Sequence, residues 1–249
     1  MPAPWRTVAE MQARDLVRRR AALLLLLGLP MSWYVAEAAA GVDYAVGTGV
    51  LAMAWSAAAA PLFAFLGARA VDGRLVQAGY RQRDIVVGRL VALLAICSIM
   101  ALALGIVMVV GSRPGSIRDV FLALALTTLV STSVGWLTSS VVPRELEGTL
   151  LLIGVVGLQI SIPVSGRADL VIPYYGPLRL TDYDQSPIGP LGPTAHSVVW
   201  AALIAAMALA LWRRRVRVAG SSPKVNRPRW PRAEPAAVGR RAGSRRERR

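Results

Sequence analysis

Apolar residues in this chain gather into long uninterrupted runs, and neither the alternation of a half-buried strand nor a single amphipathic stripe describes them. The runs fall at 21–40, 47–68, 90–111, 119–142, 147–163 and 195–212. A membrane-spanning helix needs about 20 mostly apolar residues, so the pattern predicts six spans. A helical period of a different kind precedes them in WRTVAEMQARDLVRRR, residues 5–20. Trp5, Val8, Ala9, Ala13 and Leu16 share one side of that helix, and Glu10, Arg14 and Arg18 lie opposite. This predicts a helix lying in the membrane interface with Trp5 at headgroup depth; a frayed terminus is the alternative. The first run follows Arg18, Arg19 and Arg20, as the core of a secretory signal would. Five further runs and the lack of a convincing small-residue cleavage site near Ala38 to Ala40 instead predict a retained span.

Composition sharpens the class. With 55% apolar residues and a mean hydropathy of +0.48 over 249 residues, the chain is too oily for a water-exposed surface. The expected fold class is an all-α integral membrane protein. Segments 1–20, 69–89, 143–148 and 213–249 together hold 25 of the 29 basic residues, and the alternate segments hold four, Arg113, Arg118, Arg167 and Arg179. Basic residues stay on the cytoplasmic side, so both termini and 69–89 are expected in the cytoplasm and the chain in the plasma membrane. Most of the net charge of +15 lies in 213–249, rich in Arg, Pro and Gly, expected as a disordered tail. Just inside a bilayer such a tail holds topology and attracts anionic lipid, so the lipid bilayer is the expected partner and nucleic acid is not. A single lysine, Lys224, among abundant Ala, Gly, Pro and Arg suggests GC-rich codons and a bacterial source.

A few polar positions interrupt the spans. Ser131, Gly135 and Ser139 recur at intervals of four, beside Thr128 and Thr132. Such a stripe permits close helix packing, or it could line a polar pathway. The fifth span is short and carries Gly148, Gly154 and Gly157, then Gln159 and Pro163. The following external piece has Pro173, Pro177, Pro187, Pro190 and Pro193 with Tyr174, Tyr175 and Tyr183, which suits an irregular segment at the outer interface, part of it dipping back where helices cover its backbone.

Candidate chemistry is sparse. Cys97 is the only cysteine and His196 the only histidine, so no disulfide within the chain, Cys-based metal site or His-based triad is expected. There is no G-x-x-x-x-G-K-[ST] phosphate loop and no H-E-x-x-H motif. No catalytic residue, metal or cofactor is expected, and the chain is not expected to be an enzyme.

The polar segment 69–89 carries the most specific signal. It reads Val71-Asp72-Gly73-Arg74-Leu75, then Ala78-Gly79-Tyr80-Arg81-Gln82-Arg83-Asp84-Ile85, then Gly88-Arg89 entering the next span. This resembles the loop between the second and third spans of type 2 ABC transporter permeases, with Asp72 where the family more usually has Glu, Arg74 in place of Thr, and Arg89 as the basic residue. The segment at 5–20 looks like that family's elbow helix. Pro143-Arg144-Glu145, with Ser165-Gly166, Pro173 and Pro177, looks like its last-loop pattern, although the external loop is unusually proline-rich. The resemblance covers residues 5–212 and excludes the tail. It implies a membrane subunit, an exporter by family, that forms a dimer with a second permease copy or homologue. It also implies an ABC-type ATPase subunit as partner, so that ATP is used there and not by this chain. The implied coupling contact is a short helix around Leu75 to Tyr80, with Asp72, Arg74, Leu75, Gly79, Tyr80, Arg81 and Arg83, and the implied pathway or packing residues are Thr128, Ser131, Gly135, Ser139 and Gln159. Two other readings stay open: an ATPase-independent secondary transporter, which commonly places ionisable groups at mid-membrane, and a non-transporting membrane scaffold that recruits partners through its tail.

Overall fold

The computed structural model describes residues 3–112, 114–161, 171–181 and 190–220. Among these the chain forms nine helices and no strand: α1 (Pro4–Arg18), α2 (Arg20–Ala39), α3 (Ala45–Gly67), α4 (Arg69–Gln77), α5 (Gln82–Ser112), α6 (Ile117–Val141), α7 (Glu145–Ser161), α8 (Tyr175–Arg179) and α9 (Leu191–Gly220). Five of them, α2, α3, α5, α6 and α9, are long and apolar enough to cross a membrane. The fifth expected span corresponds to α7, whose 17 residues give about 26 Å of helix, at the short end for a span.

Short reversals at 40–44, 114–116 and 142–144 fold the long helices back on one another. One end of the bundle gathers α1, α4, the last turns of α3, α6 and α9, and the first turns of α2, α5 and α7. Helix α6 is the central element, packed against α3, α5 and α9. It carries Ser, Thr and Gly where its neighbours come close, and Ala54, Ala57, Ala58 and Ala60 give α3 an equally thin surface. Most buried hydroxyls of α6 are satisfied within the helix: Thr128 donates to Leu124 O, Thr132 to Thr128 O, Ser139 and Ser140 to Trp136 O. That internal bonding lets a polar sequence behave as a packing surface. At the opposite end, buried Tyr34 of α2 shares a 2.6 Å hydrogen bond with Ser112 of α5.

Several boundaries differ from the expected ones. The segment 69–89 is not one polar loop, because α4 occupies its first half and α5 begins at Gln82, leaving a turn at 78–81 in which Gly79 takes φ +92°. The short helix therefore precedes the expected Leu75 to Tyr80: Leu75 lies in its last turn and Tyr80 beyond it. Helix α9 continues through residue 220, so the first part of the expected tail is helical; residues 221–249 lie outside the described residues. Helix α1 is more than an interfacial float. Val8, Gln12 and Leu16 are buried, and α1 packs on the start of α5 at Gly88, where a methyl group would sit 2.8 Å from Val8 Cβ and 3.0 Å from Ala9 N. The segment expected to be external is described in part: α8 buries Gly176, Pro177 and Leu178 beside α6 and α9, while Ser165, Gly166, Arg167, Tyr183 and Pro187 lie outside the described residues, as do Arg113 and Pro163.

Candidate functional site: the α4 junction

Helix α4 begins directly beyond α3, and its first turn and a half is tied inward. Asp72, 4% exposed, pairs with Arg89 of α5, 3% exposed, at 2.5 Å. Burial pushes the Asp72 carboxyl up from its ordinary range, while Arg89 and a hydrogen bond from the Trp212 side chain on α9 pull it back. The Arg89 guanidinium also lies 5.8 Å from the Phe65 ring centroid, and Phe65 stacks on Trp136 of α6 at 5.5 Å. One buried ion pair thus has α3, α5, α6 and α9 within its surroundings.

Arg69 makes a second tie. Its guanidinium donates to Ser139 O, to Val142 O at 2.5 Å and to Pro143 O at 3.1 Å. Arg215 of α9 reaches the same place, donating to Val141 O at 3.1 Å and Ser139 O at 3.5 Å. These carbonyls end α6, where four acceptors lack an intrahelical partner and the helix dipole favours positive charge. Burial and the neighbouring Arg215 together push the Arg69 pKa down, a cost of placing two cations on one helix end. Arg69→Ala is expected to lower stability by about 2 kcal/mol, since it removes charge-assisted hydrogen bonds and leaves acceptors open. Thermal unfolding of the detergent-solubilised chain against wild type measures this.

The other side of the junction faces out. Arg74, Gln77, Ala78, Gly79, Arg81 and Arg83 are exposed, and Leu75 and Tyr80 are half-buried against the core. Among the described residues the ion-pair contact of Arg83 is to Asp84 at 3.8 Å. The residues expected as one contact therefore divide. Asp72 faces inward as an anchor, Leu75 and Tyr80 support the element from beneath, and Arg74, Gly79, Arg81 and Arg83 form its outer edge. Sequence reading missed the anchoring side: Arg69, Phe65, Trp212 and Arg215 had no motif to mark them. The basic residues' adjacency to helix ends was the available signal.

The second group of candidates lies apart from the junction. Thr128, Ser131 and Ser139 are buried in α6 and Gly135 faces the Ala58 carbonyl, so these positions pack helices within one chain. Ser131 Oγ lies 2.8 Å from the hydroxyl of buried Tyr174, and Gln159 accepts from Tyr174 N at 3.3 Å while donating to Val155 O. This cluster joins α6, α7 and the segment before α8. No protein-family model matches this chain, and no curated protein matches it.

Proposed function

We propose that this chain is the membrane subunit of an ATP-driven transporter, with α4 as the element through which a separate ATPase subunit moves the bundle. The observation that carries the reading is the two-sidedness of the α4 junction: on one side an exposed basic edge made by Arg74 of α4, Arg81 of the following turn and Arg83 at the start of α5, and on the other the Asp72–Arg89 pair and the Arg69 cap. An element that must pass on a displacement needs this combination, because a loosely attached helix would absorb the push. Pressure on Arg74 reaches α5 through Asp72, α6 through Arg69 and α9 through Trp212, while Arg83 stands on the first turn of α5 itself.

In this reading α7 is also a span, the fifth of six in chain order, both termini and α4 are cytoplasmic, and two permease copies complete the pathway. The concentration of 25 of 29 basic residues on one set of alternating segments supports that sidedness. The exposed arginines fit acidic groups on the ATPase.

Affinity purification in mild detergent tests the reading. Intact chain is expected to bring down an ABC-type ATPase, and the variant Arg74→Glu, Arg81→Glu to recover at least about tenfold less, since like charges now meet across the contact. Both positions are exposed, so the variant should keep wild-type helix content. Well-folded intact chain that captures no ATPase removes the reading and favours a scaffold or a secondary transporter.

A further inference from the structure

A cleft of about 520 Å³ lies between α1, the start of α2, the end of α3 and α4, within the usual size of a ligand site. Its lining divides by chemistry. Leu26 and Ala60, with Leu16 and Phe63, form an apolar wall; Leu26 is in the second turn of α2 and Ala60 about two turns before the end of α3. Nearer the bundle end the lining carries charges of both signs, Asp15, Arg19, Glu145 and Arg89. Asp15 and Arg19 lie 3.4 Å apart with both side chains more than half exposed, so each can turn to a further partner. Arg89 is held by Asp72, yet its Nη1 has no hydrogen-bond partner among the described residues.

Two carboxylates and two guanidiniums make the lining neutral overall but strongly polar, and they stand beside an apolar slot one acyl chain could follow. The site is complementary to an amphiphile whose head carries both charges. It also lies where amphipathic α1 meets the apolar start of α2, the depth at which headgroups sit around a spanning helix. A primary ammonium can donate hydrogen bonds to Asp15 and Glu145, which a quaternary choline cannot do. A phosphoglycerol head brings no cation for Glu145 and would draw Arg19 away from Asp15.

We propose that this cleft is a binding site for a phospholipid with a phosphoethanolamine head. Its phosphate sits against Arg19 within the field of Arg89, its ammonium against Glu145 and Asp15, and one acyl chain lies along Leu26, Ala60 and Phe63. The site depends on the chain's membrane character and not on an ATPase partner.

The test uses the full chain purified in mild detergent, incubated with phosphatidylethanolamine, phosphatidylcholine or phosphatidylglycerol of identical acyl chains, with retained lipid counted by mass spectrometry. Phosphatidylethanolamine is expected to be retained about tenfold over the other two, the worth of one charge-assisted hydrogen bond. Ala22→Phe and Gly67→Leu fill the cleft from exposed positions, and a Cβ at Gly67 meets nothing within 4 Å. Each is expected to lower retention about tenfold with unchanged helix content, and either suffices if the other folds poorly. Glu145→Gln should narrow the ethanolamine-over-choline preference. Equal retention of all three lipids, a preference for phosphatidylglycerol, or undiminished retention in a folded cleft-filled variant overturns the proposal.

Discussion

Asp72→Asn is expected to cost about 3–5 kcal/mol of folding stability, because it leaves the Arg89 guanidinium buried and uncompensated. Arg89→Met should cost a similar amount from the other side, stranding a carboxylate that burial already disfavours. The double variant Asp72→Leu, Arg89→Met should recover most of the loss, since a buried pair replaced by apolar side chains of similar volume is often neutral. The measurement is a double-mutant cycle on thermal unfolding in detergent, with a coupling energy well beyond that of an exposed pair as the expected result. Additive losses in the double variant would show that the 2.5 Å contact does not fasten α4 to α5. The recovered double variant also bears on the proposed function: it folds without the ionic tie, so any ATPase-driven transport measured with it reports whether the pair transmits motion or only holds the fold.

Gly135→Leu is expected to cost about 3 kcal/mol or more, through overpacking where α6 lies close against α3. A methyl at Gly135 meets the Ala58 carbonyl oxygen, and Pro61 Cγ at 2.6 Å, so the neighbour on one side is backbone and cannot swing away. Gly135→Ala should cost less, because it adds one methyl group where Leu adds a four-carbon side chain, and up to about 1 kcal/mol of helix propensity offsets part of the clash. Gly154→Ala on α7 is the matched control. Nothing lies within 4 Å of its Cβ, and it should leave stability unchanged or raise it by about 0.5–1 kcal/mol. Melting temperatures of the three variants in one detergent give the order directly.

Much of the helical plan was legible because hydrophobic length is read residue by residue. The runs at 21–40, 47–68, 90–111 and 119–142 match α2, α3, α5 and α6 to within a few residues at most boundaries, apart from the early start of α5 at Gln82. That start was hidden by composition: Gln82, Arg83 and Asp84 are polar, yet they form the first turn of the helix that Ile85 and Val86 anchor. The continuation of α9 past residue 212 was missed for the same reason, since arginines ended the apolar run without ending the helix. At the α4 junction the outer edge was legible as a cluster of basic residues. Its anchoring was not, because Arg69 and Arg215 act on carbonyl oxygens, which every residue has and no sequence pattern marks. In the serine and threonine stripe of α6, Thr128 and Thr132 return their hydroxyls to the preceding turn, which suits them to helix packing, while Ser131 turns to the Tyr174 hydroxyl, and neither bond could be read from the spacing alone.

The arginine cap on α6 also sets an order of events during synthesis. Carbonyls at 139 and 141 are translated more than 70 residues before the Arg215 side chain that helps to close them. Until α9 has left the ribosome and inserted, α6 has Arg69 alone at its end, and a chain halted before residue 215 presents a half-finished junction. Nascent chains of increasing length should therefore become resistant to proteolysis at 142–144 only when α9 arrives, which makes α9 a checkpoint on the assembly of α2, α3, α5 and α6.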